Sequence, residues 1–438
     1  MNEREIILDI LTEILEKGAY SHLTEKAVLD KYDYLPSRSK AFIKRVTEVT
    51  VEELLLVDEV IDRYASLKVK KQKPLIRTVL RMSTAQLVYF DRVPSAAIVN
   101  EAVKLVRKRG FSNLSGFVNG TLRSIGKDRE ALSFEMSSRS PVPSWIIDHL
   151  SKHYGAENAA AVLDDIRKEH PVFVRYRGED PAVPVREGLI PMETAKDEPG
   201  GTHAGILSLL PRAYALPKGV SAASLPGFSE GLYIVQDSAS QFAVCCAGIK
   251  KGDLVIDLCA SPGGKTVGAF DCGGEVIARD IGDARIAMLK DTVSRCESLN
   301  RNGGSIRIAD FDATVTDETL REKADVVLAD LPCSGLGVLT RKSDLRSKTK
   351  KEDLLALRDL QRKILDASAC YVKKGGTLLY STCTLNPSEN EEQAQYLIER
   401  HGFVLRPDPL YLPEGMRTLL PGRDGTDGFF IARLSRKE

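Results

Sequence analysis

The 438-residue chain lacks several features that would place it in whole classes of proteins. It has no apolar run near the roughly 20 residues that a membrane-spanning helix needs, so we expect no membrane anchor. Its first residues, MNEREIILDILTEILEKG, include acids and follow the pattern of an amphipathic helix. A signal peptide instead opens with basic residues and an apolar stretch. We therefore expect a cytoplasmic protein.

The chain also lacks the cysteine spacing of zinc sites. None of its eight cysteines forms a C-x-x-C pair, and no histidine stands at metal-ligand spacing near them. We therefore expect neither a metal site nor a disulfide framework, and we expect most of these thiols to be inert and buried. The cysteines are Cys245, Cys246, Cys259, Cys272, Cys296, Cys333, Cys370 and Cys383.

Net charge is only +1, but basic residues are concentrated in two stretches. Residues 68–127 contain thirteen lysines and arginines, opposed only by Asp91 and Glu101. Residues 341–351 contain six more, opposed by Asp344. One such cluster alone is better explained as a solvated helix face. Two clusters in separate domains favour binding to a nucleic-acid backbone.

Hydrophobic spacing divides the chain into three parts. Residues 1–130 show apolar side chains at helical spacing and no alternation of period two, which predicts an all-helical domain. One of its helices should begin at Pro94 and Ser95 and end at Gly110. The polar, proline-bearing residues 133–144 are typical of a linker. We interpret residues 141–224 as a small α+β connector and 225–438 as an α/β domain.

The α/β domain alternates buried strands with helical patterns, which predicts a doubly wound parallel sheet covered on both faces. Ligands of such sheets bind beyond the carboxyl ends of the strands. The residues that directly follow each strand are therefore the candidate functional residues. The predicted strands are 253–259, 275–280, 305–310, 324–331, 376–383 and 428–434.

A glycine-bearing loop follows the first of these strands. Its glycines allow a ligand to approach the backbone, and the start of the next helix attracts anionic groups. It is not a phosphate-binding P-loop, because Cys259 stands where that motif needs glycine, and G-x-G-x-x-G is also absent. An ordinary strand-to-helix turn remains the alternative. The loop reads Cys259, Ala260, Ser261, Pro262, Gly263, Gly264, Lys265 and Thr266.

Acids end the next two strands. Asp280 is placed to accept both hydroxyls of a ribose, and Asp310 could bind an adenine amino group. Either carboxylate could instead cap a helix. Together with the glycine loop, they favour a ligand that contains adenosine.

Two cysteines and a carboxylate follow the fourth and fifth strands, as Asp330-Leu331-Pro332-Cys333 and Ser381-Thr382-Cys383. The alternative is that both thiols pack beneath the sheet. Their grouping suits methylation at carbon 5 of cytosine, an unreactive position until a thiolate adds to carbon 6. A carboxyl kept protonated in a dry pocket, for which Asp330 is the candidate, would stabilise the adduct at N3. The base must be single-stranded or flipped out to react.

These motifs resemble those of the RNA 5-methylcytosine methyltransferases with two cysteines, the NOL1/NOP2/Sun family. The similar segments are VQDSASQ (235–241), DLCASPGGKT (257–266), DLPCSG (330–335), STCT (381–384), NPSENE (386–391) and DGFF (427–430). The helical domain is similar to NusB, an RNA-binding antitermination factor, at RTVLRMSTAQLVY (77–89), VPSAAIVNEAVKLV and FVNGTLR. A NusB-like domain ahead of such an enzyme is the arrangement of bacterial 16S rRNA (cytosine-5)-methyltransferases.

The resemblance implies a Rossmann-like class I methyltransferase domain, S-adenosylmethionine as cofactor and 16S ribosomal RNA as partner. It implies Cys383 as the nucleophile, Cys333 as the residue that assists release, and Asp330 as the group at N3. Spacing alone leaves open which cysteine attacks. We add Lys265 as a catalytic candidate. The cofactor candidates are residues 259–265, Asp280, Arg285, Asp310 and Asp330.

Two other functions remain open at this point. The first is a non-catalytic RNA-binding or antitermination protein with a vestigial methyltransferase domain, against which the intact Cys333, Cys383 and Asp330 argue. The second is methylation of an exocyclic nitrogen or of a protein, which would need no cysteine pair. We expect a monomer.

Overall fold

The computed structural model describes residues 2–32, 34–192, 206–210 and 212–437. The chain divides into two compact units, Met1–Asp148 with Arg341–Thr349, and His149–Thr340 with Lys350–Glu438. Within the described residues, every helix falls short of the length and apolar character that crossing a bilayer demands.

The first unit is a bundle of helices around one apolar core, as predicted. Buried side chains of this core extend from Ile6 to Met136. The helices are α1 (Glu3–Glu16), α2 (Ser21–Lys31), α3 (Ser37–Glu52), α4 (Leu54–Tyr64), α5 (Pro74–Tyr89), α6 (Ser95–Lys108), α7 (Ser115–Lys127) and α8 (Arg129–Ser137).

Helix ends in this bundle follow local chemistry. Helix α6 begins directly after Pro94, and the chain leaves it through Gly110 at φ 85°, as the sequence predicts. Helix α8 is a correction, because residues 133–137 were expected to belong to a linker. Leu132 and Met136 are buried in the bundle core. Their apolar contacts stabilise a helix that local polarity does not indicate.

The basic residues of the bundle are partly neutralised within the fold. Glu16 pairs with Arg77 and Arg81, and Asp58 also pairs with Arg81. Glu5 lies 2.6 Å from Lys108, and Asp9 lies 2.6 Å from Arg109. These acids belong to α1 and α4, outside residues 68–127. Counting acids within that stretch alone therefore underestimates how much of its positive charge is neutralised.

The second basic stretch is not a separate patch on the α/β domain. Residues 341–349 belong to the first unit and include α14 (Leu345–Lys348). Arg346 is buried and donates a hydrogen bond to the carbonyl of Glu52. Lys348 donates to the carbonyl of Ala19 and pairs with Asp344. The expectation of two basic clusters in separate domains was therefore wrong.

The second unit begins within α9 (Ser144–Asp165), which is interrupted at Gly155 by a left-handed φ of 81°. A small antiparallel sheet follows, in the order β2-β3-β1-β4. Its elements are β1 (Phe173–Tyr176), α10 (Ala182–Arg186), β2 (Ile190–Pro191), β3 (Ala213–Ala215) and β4 (Tyr233–Val235). Residues 193–205 of the predicted connector lie outside the described residues.

The large sheet has the strand order β10-β12-β9-β8-β5-β6-β7, with β11 paired to β12. Its strands are β5 (Leu254–Asp257), β6 (Glu275–Asp280), β7 (Ser305–Asp310), β8 (Ala324–Asp330), β9 (Val372–Thr382), β10 (Phe403–Leu405), β11 (Met416–Leu419) and β12 (Phe429–Arg436). The helices are α11 (Ser238–Ala247), α12 (Gly264–Asp271), α13 (Asp283–Cys296), α15 (Asp353–Ala369) and α16 (Glu391–His401).

Strands β5 to β9 are parallel, whereas β10, β11 and β12 run antiparallel to their neighbours. The prediction of a wholly parallel sheet was therefore wrong at one side. No helix separates β11 from β12, and strands joined by a short loop return antiparallel. The chain reverses its winding between β5 and β8, and such a switch point is where sheets of this kind bind ligands.

Candidate active site

A cleft of about 440 Å³ lies beyond the ends of β5, β6 and β7. Its lining combines apolar surface with carboxylates and two basic groups, a mixture that suits a nucleoside. The lining residues are Leu258, Cys259, Asp280, Ile281, Arg285, Phe311, Asp312, Ala313, Thr314, Pro332, Leu360, Lys363 and Ile364. Because Pro332 directly precedes Cys333, the cleft borders one of the two cysteine loops.

The glycine loop turns from β5 into α12 beside this cleft. Gly263 has φ 112°, a conformation that residues with a side chain rarely adopt. A Cβ on Gly264 would lie 3.3 Å from the Gln236 side chain. The Ser261 hydroxyl is buried and has no hydrogen-bond partner among the described residues. A buried polar atom without a partner is costly, so this hydroxyl is available to a ligand.

Asp280 holds this loop in place. Its carboxylate accepts hydrogen bonds from the backbone N–H of Ser261 at 2.8 Å and of Ile281 at 2.8 Å. Arg285 lies 3.4 Å from the same carboxylate. Asp280 is buried and lines the cleft, where its remaining lone pairs can accept ribose hydroxyls.

The structure brings only some of the predicted cofactor residues to the cleft. Cys259, Asp280 and Arg285 line it, whereas Asp310 is exposed at the end of β7 and stands outside the lining. Sequence reasoning missed Ile281, Phe311 and Asp312, which take part in it. These three follow β6 and β7 by one or two residues. Taking the first two residues after each strand as candidates would have found them.

Asp257, at the end of β5, is fully buried beneath the glycine loop. Burial raises the pKa of its carboxyl to about 7, and this outweighs the hydrogen bond from Thr266, which lowers it. The second carboxyl oxygen is buried without a partner among the described residues. Asp257 therefore carries a proton well above the pH at which an exposed aspartate ionises.

Asp257→Asn should remove a pH dependence of stability. Between about pH 4 and pH 7 the native carboxyl is protonated while the unfolded chain is ionised, so native stability falls as pH rises. Asparagine stays neutral and keeps an acceptor for Thr266. The free energy of unfolding can be measured with urea at several pH values from 4.5 to 7.5. Over this range, the value for the variant should rise relative to that of wild type by about 1–4 kcal/mol. Parallel curves for the two proteins would show that Asp257 ionises normally.

Cys333 and Cys383 lie together, with their Sγ atoms 3.3 Å apart. Both are partly exposed. The hydrogen bond to Cys383 and burial raise the pKa of the Cys333 thiol well above its ordinary value. Cys333 therefore keeps its proton, and its thiol can donate a hydrogen bond to the Cys383 sulfur.

Of the six other cysteines, Cys246 and Cys296 are buried, and the rest are partly or fully exposed. Burial of the sulfur raises the pKa of the Cys245, Cys246, Cys259 and Cys296 thiols, which keeps them neutral. The expectation that most cysteines are buried residues was wrong. Among the described residues, no group of three or more histidines, cysteines or acids is arranged to hold a metal ion.

Lys265 and Asp330 form an ion pair, with Nζ 2.6 Å from Oδ2. Ser381 donates a hydrogen bond to the other carboxylate oxygen at 2.8 Å. The Asp330 side chain is 29% exposed. This arrangement differs from the expected dry pocket, because the Asp330 side chain is partly exposed and contacts the Lys265 ammonium group.

Backbone contacts join the two cysteine loops. The N–H of Leu331 donates to the carbonyl of Ser381, and the N–H of Gly337 donates to the carbonyl of Cys383, each at 3.1 Å. Gly337 also packs against Gly428 of the DGFF segment, so closely that a Cβ on Gly337 would lie 2.0 Å from the Gly428 carbonyl oxygen. The backbones of the two cysteine loops are thus in direct contact.

Comparison with known proteins gives a consistent result over the whole chain. Residues 246–435 match the model described as 16S rRNA methyltransferase RsmB/F, and residues 1–127 match the NusB family. A Bacillus subtilis (strain 168) protein named "Probable ribosomal RNA small subunit methyltransferase B" is 31% identical over 99% of this chain and 98% of its own. Ribosomal RNA small subunit methyltransferase B of Vibrio cholerae is 27% identical over 100% and 98%.

Solved structures agree on the fold. The crystal structure of PH0851 superposes with a TM-score of 0.80 and covers 100% of this chain and 99% of its own, at 23% identity. The structure of NSun6 from Pyrococcus horikoshii with SFG has a TM-score of 0.53 over 68% of this chain and 98% of its own, at 20% identity. The predicted fold, a NusB-like bundle followed by an α/β methyltransferase domain, is confirmed.

Proposed function

The chain belongs to the RsmB/F family of 16S rRNA methyltransferases, and on that premise we propose that it methylates carbon 5 of a cytosine in 16S rRNA through a covalent bond between Cys383 and carbon 6. The observation that carries the proposal is the 3.3 Å separation of the Cys333 and Cys383 sulfur atoms, in the loops that follow the carboxyl ends of β8 and β9. Methylation of an exocyclic nitrogen or of a protein needs no such pair.

The first step uses the Cys383 thiolate. It adds to carbon 6 of the flipped-out cytosine, and the ring electrons move toward N3, which becomes basic. Lys265 Nζ lies 2.6 Å from Asp330 Oδ2 and can supply a proton. The Lys265–Asp330 pair transfers that proton to N3. Carbon 5 is then electron-rich and nucleophilic.

S-adenosylmethionine, when bound, supplies the methyl group as a sulfonium. The cleft fits it, because Asp280 can accept the ribose hydroxyls, the Ser261 hydroxyl lacks a partner and apolar surface from Leu258, Ile281 and Phe311 can enclose a purine. These assignments, and those of Cys259 and Arg285, belong to the proposal.

Release requires loss of the proton on carbon 5. In the adduct the Cys383 sulfur is bonded to carbon 6, so the hydrogen bond that helps Cys333 keep its proton is lost. Cys333 then passes this proton to solvent, and the resulting thiolate takes the proton from carbon 5. The electron pair of that C–H bond forms the C5–C6 double bond, the C6–S bond breaks, and Cys383 leaves as a thiolate. N3 returns its proton to the Lys265–Asp330 pair. The thiolate of a cysteine with raised proton affinity is a strong base, which suits Cys333 to this role.

The NusB-like bundle provides the RNA contacts in this proposal. Exposed basic residues of the bundle that form no ion pair within the described part of the chain include Lys70, Lys71, Arg92, Arg107, Arg123 and Lys127. Such residues are available to phosphates, and binding through them weakens as salt displaces them.

Bisulfite sequencing of 16S rRNA tests the function directly. RNA from a strain that lacks the protein should lose one modified cytosine that wild-type protein restores and the Cys383→Ala variant does not. An unchanged bisulfite pattern would contradict the proposal. S-adenosylmethionine binding by the purified protein without any methyl transfer to RNA would favour the non-catalytic alternative.

A further inference from the structure

A buried polar network connects both cysteine loops to two consecutive residues, Glu389 and Asn390, in the NPSENE segment. Both side chains are completely buried. Neither takes a part in the chemistry proposed above. Glu389 contacts Ser334, which follows Cys333, and Asn390 contacts Thr382 and Thr384, which flank Cys383.

Glu389 holds the Cys333 loop. Its Oε2 accepts a hydrogen bond from the Ser334 backbone N–H at 2.9 Å, and its Oε1 accepts one from the Ser334 hydroxyl at 2.6 Å. Gln361 donates to Glu389 Oε2 and to the carbonyl of Pro332, each at 3.0 Å. Both neighbours of Cys333 are thereby fixed.

The donors around Glu389 match a carboxylate and nothing else of its size. Asn386 supplies the fourth of them at 2.9 Å, so each carboxylate oxygen accepts two hydrogen bonds. A glutamine at this position would present an NH₂ group to two of the four donors. Those two would lose their acceptor inside the protein, where an unmade hydrogen bond is expensive.

Asn390 holds the Cys383 loop in the same way. Its Oδ1 accepts a hydrogen bond from the Thr382 hydroxyl at 2.5 Å, and its Nδ2 donates to the carbonyl of Thr384 at 2.9 Å. Thr382 and Thr384 flank Cys383. A single amide therefore holds the Thr382 side chain on one side of that cysteine and the Thr384 backbone on the other.

One hydroxyl contact joins the two halves of the network. The Ser334 and Thr384 hydroxyl oxygens lie 2.6 Å apart. The single proton of Ser334 points to Glu389, so Thr384 donates to Ser334. The separation of the two sulfur atoms is set by this connected scaffold, because both loops are anchored to adjacent residues of one segment.

We infer that Glu389 and Asn390 are separate positioning residues, Glu389 for the Cys333 step of release and Asn390 for the Cys383 step of attack. The inference rests on the proposed function. Displacement of a reacting group by about 1 Å can cost about 100-fold in rate. Loss of each residue should therefore slow a different step.

Rapid-quench kinetics with S-adenosylmethionine and substrate RNA separate the steps. The variants Glu389→Gln and Asn390→Ala are compared with wild type, with Glu392→Gln as matched control because Glu392 is exposed and directly follows the NPSENE segment, in α16. Adduct is measured on denaturing gels and turnover by methylated RNA. Thermal melting of each variant reports on its folding.

Glu389→Gln should form adduct at near the wild-type rate but release it about 10- to 100-fold more slowly, so that adduct accumulates. Asn390→Ala should form adduct about 10- to 100-fold more slowly and accumulate none. KM for RNA should stay near the wild-type value in both. If Glu389→Gln does not fold, Ser334→Ala, which removes one hydroxyl, should show the same accumulation more weakly.

Equal slowing of both steps in both variants, or behaviour like that of Glu392→Gln, would overturn the inference. That result is distinct from failure of the proposed function, in which wild-type protein itself would form no adduct and transfer no methyl group.

Discussion

The Cys383→Ala variant is expected to transfer no detectable methyl group to 16S rRNA, a loss of about 10⁴-fold or more in kcat. The proposed reaction begins with addition of this thiolate to carbon 6, and without it carbon 5 stays unreactive. Alanine removes one partly exposed sulfur atom and leaves the backbone bonds of Thr382 and Thr384 in place. Labelled methyl transfer to RNA measures the loss.

Cys272→Ala is the matched control for this variant, because Cys272 is exposed and stands apart from the cysteine pair in the chain. It should keep wild-type turnover. Both variants should bind S-adenosylmethionine and melt near the wild-type temperature, which excludes unfolding as the cause. Residual turnover of Cys383→Ala within tenfold of wild type would remove Cys383 from the role of nucleophile.

The Cys333→Ala variant is expected to trap its RNA. Adduct formation needs Cys383, whereas release needs a base at carbon 5, and a positioned base contributes about 10²- to 10⁴-fold. Turnover should fall by that factor, while a protein–RNA band that survives denaturing electrophoresis grows with time. The band requires the Cys383 thiolate, so it should be absent from the Cys333→Ala, Cys383→Ala double variant.

The opposite outcome for Cys333 is also clear. Normal turnover without a trapped band would exclude Cys333 from the mechanism. Loss of adduct formation itself would show that the Cys333 hydrogen bond is required to activate Cys383, since the two sulfur atoms lie 3.3 Å apart. Cys272→Ala serves again as the control.

Much of the α/β domain could be predicted because buried strands and special loops leave local signals. The strands at 275–280 and 305–310 match β6 and β7 to the residue. The glycine loop, Asp280 and both cysteine loops follow strand ends as predicted. Their convergence follows from the parallel arrangement, which fixes the edge where carboxyl ends meet.

Other features depend on contacts between residues distant in sequence. Arg77 and Arg81 look unopposed along the chain, but they pair with Glu16, more than sixty residues away. Helix α8 forms because Leu132 and Met136 enter the bundle core. Local composition carries neither signal, so a linker and an uncompensated basic cluster were predicted instead.

The state of Asp330 and the roles of Glu389 and Asn390 belong to the same class. The position of Asp330 after β8 could be predicted, but the 2.6 Å contact with Lys265 that leaves it paired requires two loops to meet. The sequence marks NPSENE as a family segment but indicates no role for it. Its acid and amide acquire a role only when Ser334, Thr382 and Thr384 are brought beside them.

The most direct measurement of the central claim identifies the cysteine that bonds to the base. RNA containing 5-fluorocytidine blocks release, because fluorine replaces the proton that must leave carbon 5. Trypsin places the two cysteines on different peptides, residues 324–341 with Cys333 and residues 375–400 with Cys383. After nuclease digestion, mass spectrometry should find the added nucleotide on residues 375–400. A nucleotide on residues 324–341, or methyl transfer to normal RNA with no nucleotide on either peptide, would contradict the account.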